Sequence, residues 1–234
     1  KYQSDWRKPT FLMENINNFN EINVSKVLHD YKISCKENVI DLNSHGCRVA
    51  YLEPIGDTYT EDDVDLLTKW RAANQIWFPS QFTVTRQGTE NWLLNQVIKN
   101  KTKILYMIKN LENKSIGHIG LACFDYITGS CDIDNVIKGE ENVPSNIMML
   151  AEEAMINLAF SLLGATSIRA QLFDDNLPSK LLHYSNGFKV DKKISMMKRV
   201  EDNGVFWDEI PEEKIKSIPA ERYFLHMMKY REMV

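Results

Sequence analysis

The residues best placed to do chemistry in this 234-residue chain lie between Gly139 and Phe188. A polar loop, Val143-Pro144-Ser145-Asn146-Ile147-Met148, opens onto an amphipathic run. The first amides of a helix have no intrahelical partner and carry about half a positive charge. The N–H groups of Ser145, Asn146, Ile147 and Met148 could therefore receive an anion, a pyrophosphate being the natural guest. The plain alternative, which spacing alone favours, is an ordinary helix capped by Ser145. Glu140 and Glu141 oppose an anion unless they turn outward, and Lys138 and Lys180 are the cations placed to offset them. Tyr184, one turn before Gly187, offers a phenol able to protonate a leaving group; a buried tyrosine with a satisfied hydroxyl fits the same spacing. Asp134 and Glu53 are strand carboxylates that could face a cleft. His45, His118 and His183 are isolated from one another, so no nucleophilic triad and no metal site is expected.

Periodicity predicts the elements that carry these groups. Ile147, Leu150, Ala151, Ala154, Leu158 and Leu162 recur at helical spacing, giving one long helix from about Ser145 to Leu163, closed by Gly164. A strand over 166–173 follows, then a short helix opened by Pro178 and ended by Gly187. Upstream, Arg48–Pro54 alternates as a strand. Thr60 to Asp63 caps a helix bearing Val64, Leu67 and Trp70, and Trp92, Leu93 and Val97 mark a second helix. Strands over 104–108, 115–124 and 131–137 form an antiparallel meander, and the adjacent Val136 and Ile137 predict a bulge near Asn135. Two more strands are expected over 194–199 and 222–228, separated by Gly204 and the charged stretch Asp208–Pro219. From Arg48 the order reads βααβββαβαββ. This is an α/β (α+β) fold whose single crossover must be parallel and right-handed, with a ligand switch point beside the long helix. Residues 1–47 read as an N-terminal arm or extension, with a short helix near Val24, Val27 and Leu28 and a short strand near Val39, Ile40 and Leu42; residues 48–234 read as the main domain.

The balance of 28 Lys and Arg against 32 Asp and Glu gives a net charge of −4 and no basic stripe for nucleic acid. No apolar run reaches a membrane span. Cys35, Cys47, Cys123 and Cys131 lack zinc-ligand spacing, so buried, reduced thiols in a cytoplasmic protein are expected. The chain opens on Lys1, which reads as a processed or cut end without a secretory leader.

Residues 48–230 resemble the GNAT superfamily of acyl-CoA-dependent N-acyltransferases, most nearly the branch of ribosomal-protein alanine acetyltransferases and nucleotide-amino-sugar acetyltransferases. Strand order carries part of the likeness. Ser115-Ile116-Gly117-His118-Ile119-Gly120-Leu121 is similar to that branch's third strand, and Ile147 to Ala154 followed by Asn157-Leu158-Ala159-Phe160 is similar to its cofactor helix. The run from Phe173 to Phe188 places Asn176, Ser179, Tyr184 and Gly187-Phe188 in the family's pattern. The family's Gln/Arg-x-x-Gly-x-Gly/Ala loop is here Glu141, Pro144 and Asn146, and the proline removes one donor.

The resemblance implies a mixed, mostly antiparallel sheet with helices on both faces and a splayed strand pair that holds the pantetheine of acetyl-CoA. The backbone of Asn135, Val136 and Ile137 would polarise the thioester carbonyl. The amides of Ser145, Asn146, Ile147 and Met148 would hold the pyrophosphate, and Asn176 and Ser179 would bind the cofactor arm. Tyr184 would protonate the departing thiolate, and Asp134 or Glu53, with His118 behind them, would serve as base. The implied activity is acetyl transfer to a primary amine of a small molecule, such as a nucleotide-linked amino sugar. No metal, nucleic acid or membrane takes part, and the arm suits a homodimer contact or a fusion. Acetylation of a protein N-terminus and a non-catalytic GNAT-like binding module are the alternatives.

Overall fold

The computed structural model describes residues 19–232. Its strands are β1 (Ile40–Ser44), β2 (Cys47–Pro54), β3 (Ser80–Phe82), β4 (Ile104–Asn110), β5 (Ser115–Asp125), β6 (Ser130–Lys138), β7 (Ser167–Phe173), β8 (Lys189–Glu201), β9 (Gly204–Glu209) and β10 (Arg222–Tyr230). They form one ten-stranded sheet in the order β1-β2-β4-β5-β6-β7-β10-β8-β9-β3. Among these pairs only β6–β7 is parallel. The helices are α1 (Glu21–Ile33), α2 (Glu61–Ala73), α3 (Arg86–Trp92), α4 (Ile147–Asn157) and α5 (Leu177–Ser185); α3 and α4 each continue into a wider π turn, Leu93–Ile98 and Leu158–Leu163.

Each helix has a local cause. Thr60 and Asp63 close a reciprocal capping box at the start of α2, whose Val64, Leu67 and Trp70 then point inward together. Those three pack with Leu93, Val97, Leu105, Met107 and Ile137 on one face of the sheet. The other face receives Ile147, Ala151, Ala154 and Met155 of α4 against Tyr106, Ile108, Ile119 and Ile133. Alternation along β6 thus sends Ile133 and Val136 toward α4 but Ile137 toward α2.

Several expectations shift. The long helix begins at Ile147, and its cap is Asn146 rather than Ser145, because the Pro144 carbonyl takes the Ile147 N–H in a tight turn just before it. Gly164 ends the helix in the left-handed region, φ 84°. The bulge falls where expected: the β5–β6 register passes from Gly120↔Asp134 to His118↔Ile137, and Asn135 has φ 52°. Strands β3 and β9 were not foreseen, and β9 takes residues through Glu209 from the charged stretch. All four cysteines are free, but only Cys35 and Cys131 are buried, since Cys47 and Cys123 lie on exposed stretches of their strands. Toward the N-terminus, Val24 and Leu28 of α1 enter the main core and β1 pairs with β2, so the expected boundary between Cys47 and Arg48 lies inside β2. Residues 1–18 of the expected arm lie outside the described residues.

Candidate active site

The parallel ladder between β6 and β7 is short. Ser130, Cys131 and Asp132 pair with Ser167, Ile168 and Arg169, and there the pairing stops. Beyond it β6 runs on to Lys138 along β5, while β7 runs to Phe173 along β10. The sheet therefore opens into a fork. At its root Asp132 grips Arg169 through two bonds of 2.9 and 3.0 Å and accepts a third from Gln171 at 2.8 Å. A bidentate pair of this kind, its carboxylate buried and its guanidinium partly exposed, fixes geometry as well as charge.

On the α4 side of the fork lies a cavity of about 440 Å³. Val136 and Lys138 border it from β6, Ser145, Asn146 and Met148 from the start of α4, and Pro178, Ser179 and Leu182 from α5. The structure thus gathers most of the expected cofactor residues around one space. Ile147 is buried beneath it and offers only backbone. Asn176 is the N-cap of α5, its side-chain oxygen accepting from the Ser179 N–H at 3.4 Å, so that oxygen is committed to the helix. Glu140 does not close the mouth. Its carboxylate accepts from Lys69 Nζ at 2.9 Å and Trp70 Nε1 at 3.1 Å, and the two donors hold it below the usual carboxylate range.

The opposite face of the fork carries Asp134, which alternates with Ile133 and so points toward the α2 side. It pairs with Lys103 at 2.6 Å and accepts from its neighbour Asn135 Nδ2 at 2.5 Å. Glu53 is not brought to this place. It pairs with Lys109 at 2.7 Å and borders a separate hollow of about 610 Å³ between β2 and the start of α2. The row Glu53, Met107, His118, Ile137 crosses three strand spacings, which puts Glu53 about 14 Å from β6. Tyr184 is likewise off the cavity. It is 45 % exposed, on the side of α5 that carries Leu177 and Lys180, whereas Ser179 and Ser185 are the α5 hydroxyls at the cavity wall.

Two groupings escaped the sequence reading. Glu152 of α4 and His183 of α5 form a buried pair between the helices that wall the cavity, with Asn186 Nδ2 donating to the second Glu152 oxygen at 2.7 Å. The only trace in sequence is a carboxylate on the apolar half of a helix. Trp70, placed as a core residue, also links Glu140 to His118, whose ring centroid lies 5.9 Å away.

Among the described residues no helix is long and apolar enough to cross a membrane. Residues 57–189 match the family model described as an acetyltransferase (GNAT) domain. No curated protein matches the chain. Among solved structures, a GCN5-related N-acetyltransferase from Brucella melitensis superposes with TM-score 0.58 at 17 % identity, covering 79 % of this chain and 76 % of that one. A probable GNAT-family acetyltransferase from Chromobacterium violaceum gives 0.58 at 13 %, covering 81 % and 85 %. A chimeric spermidine N-acetyltransferase from Vibrio cholerae gives 0.56 at 12 %, covering 74 % and 92 %. At these identities the superpositions establish a common fold.

Proposed function

This chain belongs to the GNAT family of acetyltransferases, and on that premise we propose that it moves an acetyl group from acetyl-CoA to the primary amine of a small molecule. One observation carries the reading: β6 and β7 part after Asp132 and Arg169, next to a cavity bordered by the first turn of α4 and by α5. A thioester arm enters from the α4 side, with its phosphates at the amides of Met148 and its neighbours. The glutamate that could compete for that position is already engaged by Lys69 and Trp70.

The amine arrives from the α2 side, where Asp134 stands at the edge of the gap. Its nitrogen attacks the thioester carbon. A C–N bond forms, the C–S bond breaks, and the amine proton passes to Asp134, directly or through one water. Glu53 is too remote for that part. The sulfur departs as a thiolate. A thiol of pKa about 8.5 is a good enough leaving group to depart without an obligatory acid and to take its proton from water. Tyr184 does not border the cavity, so its phenol is not required for that proton.

Nucleotide-linked amino sugars and spermidine head the acceptors to test, the second because a similar fold carries that activity in Vibrio cholerae. Titration calorimetry with acetyl-CoA, followed by thiol release across amino sugars, polyamines and peptides, tests the reading. Saturable binding with release dependent on a small amine is expected. Release only with peptides would move the assignment to protein N-termini, and absence of binding would leave a non-catalytic module.

A further inference from the structure

The β6 side of the fork ends in an irregular peptide. Asn135 has φ 52°, in the left-handed region that interrupts a strand and that asparagine enters more readily than most side chains. In the β5–β6 register Asn135 and Val136 together stand opposite Ile119, so the ladder alone does not fix this peptide. A side chain does. His118 is 3 % exposed, and its Nδ1 lies 2.7 Å from the Asn135 carbonyl oxygen. A carbonyl only accepts, so Nδ1 carries the proton.

The ring is itself held. Trp70 packs against it, and Glu140 accepts from the Trp70 indole at 3.1 Å. Gly139 lies so close under the indole that a Cβ there would stand 2.1 Å from Cε2. In a trans peptide the C=O and the following N–H point in opposite directions, and no cis bond occurs among the described residues. With the Asn135 oxygen turned to His118, the Val136 N–H is directed away from the imidazole. Val136 borders the cavity, beyond the last β6–β7 pair.

We propose that His118 is a positioning residue: its hydrogen bond to Asn135 sets this one peptide so that the Val136 N–H meets the thioester oxygen as negative charge develops there. His118 touches neither thioester nor amine and moves no proton. This rests on the acetyl-transfer reading above and assigns a cause to the orientation of the donor.

Asn and Leu are nearly isosteric, and only Asn places a donor where Nδ1 stands, so His118→Asn and His118→Leu isolate the hydrogen bond. Both variants should bind acetyl-CoA within about threefold of wild type by calorimetry. With the first amine that wild type turns over, His118→Leu should lose about 10²-fold in kcat at nearly unchanged KM for acetyl-CoA. His118→Asn should stay within about fivefold of wild type. Equal activity of the two variants, or binding lost in step with turnover, overturns the proposal. If wild type gives no heat with acetyl-CoA, the acetyl-transfer reading falls instead. A long-range ¹H–¹⁵N spectrum of the wild-type ring then still judges the geometry: a protonated Nδ1, with a Val136 amide signal that moves in the Leu variant but not in the Asn variant, supports it, and a bare Nδ1 rejects it.

Discussion

At the scale of single residues, the fork separates groups that look equivalent as letters. Asp134 and Glu53 are both strand carboxylates with a lysine partner, yet only Asp134 lies beside the gap. Asp134→Asn should therefore lower kcat by about 10²-fold, within the usual range for losing a general base, and Glu53→Gln should stay within about threefold. Tyr184→Phe should also stay within about threefold, because Tyr184 is half-exposed and does not border the cavity. Thiol release at saturating acetyl-CoA measures all three. His118 has a second signature. Burial holds its imidazole down to about 4 from an ordinary 6.5, outweighing the Asn135 carbonyl and Asp134, both of which favour the charged ring. Below pH 6.5 the unfolded chain takes up a proton that the folded chain refuses until about pH 4. Stability is therefore lost as pH falls across that window, by about 3 kcal/mol for this one group. His118→Asn should remove that share of the pH dependence, which urea unfolding at several pH values between 4 and 7 would register.

At the scale of elements, the cavity depends on the spacing of α4 and α5, and the pair Glu152–His183 sets that spacing. Both side chains are buried, and Asn186 is tied to Glu152 on one side and, through its carbonyl, to Lys229 Nζ at 2.7 Å on the other. Glu152→Ala leaves a buried imidazole nitrogen without its acceptor, a change that costs about 1–3 kcal/mol. It should raise the KM for acetyl-CoA about tenfold while kcat changes far less, and Glu152→Gln, which still accepts from His183, should recover most of both. Denaturant melts and initial rates check the two halves. Such a pairing was hidden in the sequence because its partners stand 31 residues apart on separate helices. The bulge was legible for the opposite reason: adjacent Val136 and Ile137 break period-two alternation within a single strand. The α2 cap was legible from Thr60 and Asp63 alone. Strand β9 was not, because Val205, Phe206 and Trp207 are consecutive and each is half-buried, which leaves no alternation to read. Strand β3, three residues long, carries too little pattern to register.

At the scale of the whole molecule, the first described residues bear on whether the fold stands without them. Val24, Leu28 and Leu42 are almost completely buried in the main core. Burying each contributes about 1.5–3 kcal/mol, so together they approach the net stability of a typical domain, about 5–15 kcal/mol. Lys32 adds a polar tie. Its ammonium donates to the carbonyls of Val97 at 2.8 Å, Ile98 at 3.3 Å and Asn100 at 2.5 Å, closing the turn that follows α3. Burial lowers its pKa to about 8, so at neutral pH it is still charged and still a donor. Removing β1 would also bare the edge of β2 to other chains. A chain begun at Arg48 contains the whole of the matched 57–189 stretch, and on sequence similarity alone it should suffice. The packing predicts the contrary: that chain should be insoluble or lack a cooperative thermal transition by circular dichroism, while Leu28→Ala in the full chain should fold with a loss of about 2–5 kcal/mol. A soluble product from Arg48 onward, melting cooperatively at the full-length temperature, would mean that α1 and β1 are an appendage laid on a core complete without them.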